Sequence, residues 1–152
     1  MSATAAIEAA KTKGGPVRRH AQATGVLLSV LGLLGLVPGI TTRYDEMGLW
    51  GSGAQLFGLF TVSVTTSVLL FLYGVTVLVF AGSVRQAHKS VVLHALLLIG
   101  MGITGTGLVN NSPARLLPTD AASNVLYLVL GVVLLVSANR SRAKEIEQNG
   151  VF

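Results

Sequence analysis

The sequence predicts an all-α membrane protein: a bundle of four transmembrane helices made of two related helical hairpins, with N and C termini cytoplasmic. Three observations predict it. Charged residues make up 11% of the chain, against about 25% in soluble domains. These charges fall in clusters, leaving the uncharged windows Ala21–Thr42, Met47–Val84, Ser90–Ala114 and Ala121–Asn139. Each window supplies about the 20 apolar residues, or slightly fewer, that a helix needs to cross the hydrocarbon core at 1.5 Å per residue. Finally, Ser67–Ala81 (SVLLFLYGVTVLVFA) is repeated by Asn124–Ala138 (NVLYLVLGVVLLVSA) at an offset of 57 residues, with identities at Val68/Val125, Leu69/Leu126, Gly74/Gly131, Val75/Val132, Leu78/Leu135, Val79/Val136 and Ala81/Ala138. Membrane strands would alternate apolar and polar residues, whereas these windows are continuous apolar runs, so a barrel is rejected.

The organisation that follows is a basic cytoplasmic tail over 1–20, a membrane domain over 21–139 with spans of about 23–38, 55–80, 91–108 and 123–138, and a cytoplasmic tail over 140–152. Orientation comes from the cations. With both ends inside, Lys11, Lys13, Arg18, Arg19, Arg85, Lys89, Arg140, Arg142 and Lys144 share one side, and only Arg43 and Arg115 lie opposite. That is the positive-inside pattern, and it accounts for the net charge of +5 without nucleic acid. The expected location is a bacterial plasma membrane, crossed several times.

In the first span, Gly25/Ser29 and Gly35/Gly39 are small-xxx-small pairs that permit close helix packing, and Pro38 is expected to stop the helix. The loop Thr41–Gly53 carries Arg43, Asp45 and Glu46, with Tyr44 and Trp50 suited to the membrane boundary. The second span, Gln55–Phe80, is long enough to tilt, and its Thr61, Ser63, Thr65, Thr66 and Ser67 hydroxyls can bond backbone carbonyls. A short basic loop, Gly82–Ser90, makes spans two and three antiparallel neighbours. The third span ends in Gly100, Gly102, Gly105 and Gly107, where irregular structure is expected. Asp120 or Ser123 can cap the fourth span, and the helix is expected to run a turn or two past Asn139.

Small or polar residues recur every seven positions in the repeat, Ser67, Gly74 and Ala81 in one copy and Asn124, Gly131 and Ala138 in the other. On a helix these form one stripe where a neighbouring backbone comes close, so they are the expected packing seam. A candidate external ligand or partner surface is Arg43, Asp45, Glu46, Trp50, Arg115 and Asp120, drawn from equivalent loops of the two halves.

Without cysteine there are no disulfides, thiolate metal sites or iron–sulfur clusters. His88 and His94 are six residues apart and do not share a helix face, so they are read as membrane-interface side chains rather than ligands. Acids outside and histidines inside leave no catalytic triad, and the glycine runs lack the Lys-Ser or Lys-Thr of a phosphate loop. No catalytic residue, cofactor or metal is expected. No Asp, Glu, Lys or Arg lies deep in a span, which demotes ion-coupled transport. The expected function is that of a non-catalytic accessory or assembly subunit of a larger bacterial membrane complex, respiratory or cell-envelope, whose partners are membrane lipids and other subunits or further copies of the chain. One alternative is a small channel or carrier running between Ser63, Thr66, Ser67 and Asn124. Another is a quinone- or haem-handling subunit using His94 or Tyr127.

The segments GLVPGITTRYDEMGLWGSGAQLFGLFTVSV, TTSVLLFLYGV and ASNVLYLVLGV resemble a small actinobacterial four-span membrane family, a domain of unknown function numbered 4383, over about Thr24–Ser137. The resemblance implies four spans, a bacterial plasma membrane and no established activity. Leu70 and Tyr127 stand where its members often carry histidine, and Ser67 replaces an asparagine, so any metal, haem or proton role of those residues is missing from this chain.

Overall fold

A computed structural model of the chain describes residues 15–107 and 120–150. It is mostly helical. Helix α1 spans Pro16–Leu34, α2 Val64–Phe80, α3 Val84–Gly107 and α4 Ala121–Asn149. Between α1 and α2 lie β1 (Thr41–Thr42), a 3-10 turn (Tyr44–Glu46), β2 (Gln55–Leu56) and β3 (Phe60–Thr61), the strands pairing as an antiparallel meander in the order β1-β2-β3.

Pro16 occupies the first turn of α1, where a missing N–H costs nothing and its fixed φ suits the helix. The helix ends at Leu34, four residues before Pro38. Its last carbonyls are taken up by the Thr41 hydroxyl, 3.2 Å from Leu34 O and 3.0 Å from Gly35 O. Pro38 instead forms a bridge to Thr41, which corrects its expected role as the helix stop.

The second expected span is also corrected. Gln55–Thr61 is not helical: Phe57 and Gly58 both take positive φ, 54° and 71°, and turn the chain between β2 and β3. A left-handed pair matches the twist of a short hairpin. Helix α2 therefore begins only at Val64, where Ser63 and Thr66 form a reciprocal capping box, Ser63 Oγ accepting from Thr66 N–H and Thr66 Oγ1 from Ser63 N–H. At 17 residues α2 is about 25 Å long.

At the other end, the expected basic loop 82–90 is mostly helix, because α3 starts at Val84 with the Ser83 hydroxyl accepting from Gln86 N–H. The glycine-rich end of α3 remains helical to Gly107. Helix α4 is capped by Asp120, whose carboxylate accepts from Ser123 N–H at 2.9 Å, and it continues ten residues past Asn139. Arg115 and most of the second outer loop lie outside the described residues, as do 1–14.

The closest helix pairs are α1 with α2 and α3 with α4; α1 also touches α4 and α3, and α3 touches α2. Each close pair is held by backbone approach at glycine. A Cβ on Gly74 would overlap the backbone of Gly25 and Ser29, and one on Gly131 would sit 2.7 Å from Ala95 O and 2.9 Å from Ile99 N. One turn pair away, Gly32 meets Ser67 O and Phe71 N, and Gly102 meets Asn124 O and Leu128 N. These are the same contacts twice. Shifting α1 by 70 residues (Gly32 to Gly102) and α2 by 57 (Gly74 to Gly131) superimposes every one of them. The chain is therefore an internal duplication, and the first connection is longer by the difference of the two shifts, in the region where the meander lies.

The structure assigns a simple stability test to the seam. Gly74→Leu and Gly131→Leu each force backbones apart and should cost about 1–3 kcal/mol or more, read as a lowered Tm in detergent. Gly100→Ala meets nothing within 4 Å and should hold or raise Tm, since alanine is favoured over glycine in a helix by up to about 1 kcal/mol.

Candidate functional site

The six expected seam residues all sit inward. On α2, Thr66, Ser67, Leu70, Gly74 and Val77 are buried, followed by Ala81; on α4 Ser123, Asn124, Tyr127, Gly131, Leu134 and Ala138 are buried at the same positions after the shift, followed by Ser141 and Glu145 in its extension. Helices α1 and α3 match likewise, with Val17/Ala87, Ala21/Val91, Thr24/His94, Leu28/Leu98 and Gly32/Gly102. Sequence comparison missed this second correspondence, although Leu27-Leu28 and Leu97-Leu98, each followed by a glycine four residues later, carried the signal. The seam hydroxyls of Ser29 and Ser67 lie against Gly74 and Gly35 of the facing segment and, like Asn124 Oδ1, have no hydrogen-bond partner among the described residues.

Where the two halves differ, chemistry concentrates. His94 stands at the position of Thr24; it is buried, not at an interface as expected. Its Nδ1 lies 2.8 Å from Ser90 O, and since a carbonyl only accepts, Nδ1 carries the proton. Its ring meets Tyr73 edge-on at 4.9 Å between centroids. Tyr127 replaces Leu70 and hydrogen-bonds Thr66 across to α2. Among the described residues no cluster of three or more His, Cys, Asp or Glu could hold a metal ion.

The end of the molecule away from the meander gathers Arg18, His20, His88, Arg142 and Glu145. Arg18 Nε donates to Ala81 O at 3.1 Å, closing the end of α2. Its counterpart His88 hydrogen-bonds the backbone carbonyl of Ala138 on α4. His20 Nε2 is 3.2 Å from Ser137 Oγ. Glu145, only 4% exposed, reaches from the extension of α4 to accept from Val17 N–H at 3.1 Å. It supplies the cap that Gly15 lacks, and its carboxylate fills the space a side chain on Gly15 would need. An anion at a helix N-terminus also meets the positive end of the dipole. This clasp was missed in the sequence, where Glu145 reads as an ordinary tail residue.

At the meander end, Arg43 opens the 3-10 turn in a left-handed conformation, with Asp45 and Glu46 following it. The Glu46 carboxylate packs beside Gly53, and Trp50 is exposed. Asp120 is spent as the cap of α4: burial opposes its charge, yet hydrogen bonds from Ser123 and Thr61 outweigh it and hold the carboxyl below its ordinary range. The six residues proposed as an external surface thus divide. Arg43, Asp45, Glu46 and Trp50 belong to the meander, Asp120 to the helix cap, and Arg115 is outside the described residues.

Two of the helices, α3 over Val84–Ile103 and α4 over Ala121–Gln148, are long and apolar enough to cross a membrane. The class these features define is a small, mostly helical protein of membrane-compatible hydropathy, folded as a duplicated hairpin. Residues 18–139 match the family described as Domain of unknown function (DUF4383), and the chain belongs to that family. No curated protein and no solved structure is detectably similar to it.

The clasp and its histidines yield two predictions. Glu145→Ala should lower stability by about 1–2 kcal/mol and speed amide exchange at Val17–Arg19, while Glu145→Gln, which keeps an acceptor, should fall between. Burial, and for His88 also Arg142 and His20, lowers both His20 and His88 below the ordinary histidine value, despite backbone hydrogen bonds that pull the other way. As pH falls through about 6.5, the unfolded chain takes up protons that the folded chain refuses, so stability must decline. Thermal unfolding between pH 7.5 and 5.5 should show this decline, and the H20Q/H88Q double variant should flatten it.

Proposed function

We propose that the chain crosses a bacterial plasma membrane four times, with the meander outside and both termini in the cytoplasm, and serves as a non-catalytic accessory or assembly subunit of a larger membrane complex. What supports the membrane reading is the apolar outer surface, set around an interior in which small polar residues lie among Leu28, Leu70, Val77 and Leu98. The faces that look outward carry Val26, Val30, Val79, Leu93, Leu96, Val125, Val129, Val133 and Val136, all exposed, while serine, threonine, asparagine and glycine face inward. In water such apolar coverage would drive association; in lipid it is the expected outer surface. The cations Arg18, Arg19, Arg85, Lys89, Arg140 and Arg142 gather at the ends of the helices away from the meander, which supports the orientation.

The observation that carries the subunit reading is the meander's apolar crown. Leu49 (65% exposed), Trp50 (52%), Phe57 (55%) and Leu59 (62%) project from it, and Phe57 is held at positive φ, unusual for a bulky residue. The crown is also rigidly mounted. Tyr44 Oη donates to Leu36 O, Phe57 N–H to Ile40 O, Val62 N–H to Ala54 O, and Thr65 N–H to Leu49 O. A fixed apolar and aromatic display on a rigid support suits docking to another membrane subunit, where such side chains dominate interface energies.

A channel or carrier is the weaker reading. Ser63, Thr66, Ser67 and Asn124 are all buried, Ser63 and Thr66 bonding each other.

Purification of the full chain in mild detergent, followed by mass spectrometry, should recover a constant partner or a defined oligomer, and the Trp50→Ser/Phe57→Ser double variant should lose it while keeping its Tm. A chain that is always alone and monomeric overturns the proposal.

A further inference from the structure

One concave surface belongs neither to the seam nor to the crown. It is a groove of about 560 Å³ between Phe60 of β3 and the outer end of α4, lined by Phe60, Ala121, Ala122, Val125, Leu126 and Val129. It is a shallow trough open along most of its length rather than an enclosed cavity.

The groove is built, not incidental. Strand β3 belongs to the first half of the chain but lies across the second: the Ser123 hydroxyl donates to Thr61 O at 3.1 Å and fixes Phe60 as a roof over α4. Ala121 and Ala122 line the groove beside Phe60 and add little bulk to it. The corresponding head of α2, Val64, Thr65, Val68 and Leu72, has different surroundings. There Val64 N–H donates to Gly48 O and Thr65 N–H to Leu49 O, so the loop lies directly on the helix. The surface that corresponds to the groove in the first half is therefore met by that half's own loop.

We propose that the groove holds one acyl chain of an outer-leaflet phospholipid, an inference that rests on the membrane-crossing reading above. No polar atom contributes to its surface. A peptide or a sugar seated there would leave N–H, C=O or hydroxyl groups without partners, each costing about 2 kcal/mol or more; a hydrocarbon chain leaves none. The lower end of the groove, at Val125 and Val129, runs without a break into the exposed valine face of α4 at Val132, Val133 and Val136. A lipid tail lying along that face can enter under Phe60 without crossing a polar barrier. Phe60 and the alanines then pin it at the level where β3 leaves the meander.

The test uses the full chain in nanodiscs of phosphatidylethanolamine and phosphatidylglycerol doped with a phospholipid carrying a diazirine on its acyl chain. After irradiation, adducts are mapped by mass spectrometry. The expected result is enrichment at Phe60, Val125 and Val129 over Val79 and Val26, which face outward on other helices. Ala122→Trp, which fills the groove, should cut labelling at Val125 and Val129 about tenfold, as loss of an apolar site implies, and leave Val79 unchanged. Phe60→Ala, which removes the roof without adding bulk, should also abolish the enrichment. Equal labelling at all these positions, or labelling indifferent to both variants, overturns the groove but not the membrane reading. Absence of adducts everywhere overturns both. Capture of another polypeptide by a photoreactive residue at position 60 shows a protein occupant and overturns the lipid.

Discussion

Backbone meets backbone at Gly25, Gly32, Gly74, Gly102 and Gly131, and the rest of the architecture depends on that approach. Lipid gives helices no hydrophobic reason to associate, because a valine gains nothing by leaving one hydrocarbon for another. What remains is dispersion and dipole contact at short range, which only glycine and the small residues around it permit. Small and polar side chains therefore take the points of closest approach, while Leu28, Leu70, Leu98 and Tyr127 fill the rest of the interior. This single constraint explains why Ser67 and Asn124 are buried while Val79 and Val125 are bare.

The same constraint explains the duplication's fidelity. An apolar surface facing lipid tolerates exchange of one aliphatic side chain for another, so Leu72 and Val129 need not agree. A glycine contact tolerates almost nothing. The two hairpins accordingly keep glycine at Gly32/Gly102 and Gly74/Gly131, although Ala95 stands for Gly25, and keep a capping side chain at the head of the second helix, Ser63 in one and Asp120 in the other. A rotation that brings one hairpin onto the other also exchanges the α1–α4 contact with the α3–α2 contact. This leaves α1 and α3 in contact at the centre.

How much of this was legible beforehand follows from the kind of signal each feature leaves. The stripe on α2 and α4 was legible because seven-residue spacing of small residues survives in the letters themselves. The repeat of α1 in α3 was not, because most of its matched positions hold different residues of similar size, as at Val17/Ala87 and Gly25/Ala95. The meander was hidden by hydropathy. Gln55-Leu-Phe-Gly-Leu-Phe-Thr is apolar enough to read as the start of a span, and only Gly58 hinted at a turn. Asp120 could be named as a cap because its partner is three residues away; Glu145 could not be named as one because the amide it caps is 128 residues away. The outer charges misled for the same reason: Asp120 looked like part of a surface until its local hydrogen bonds were known.

The two halves diverge at their ends, and the divergence has a direction. At the closed end, Arg18 and His88 occupy equivalent positions and make equivalent bonds to Ala81 and Ala138. One of these is a permanent cation; the other is a histidine whose burial favours the neutral ring. At the open end, the longer connection of the first half crosses onto the second, so that Thr61 meets Ser123 and Phe60 overhangs α4. The extension of α4 returns the exchange at the far end, where Glu145 caps α1. Each hairpin thus has its glycine seam within itself but completes a terminus of the other, and neither half would present the same surface if it were separated. A duplicated scaffold cross-braced in this way can let its two ends specialise, the meander at one and the basic cluster at the other, without disturbing the seam between them.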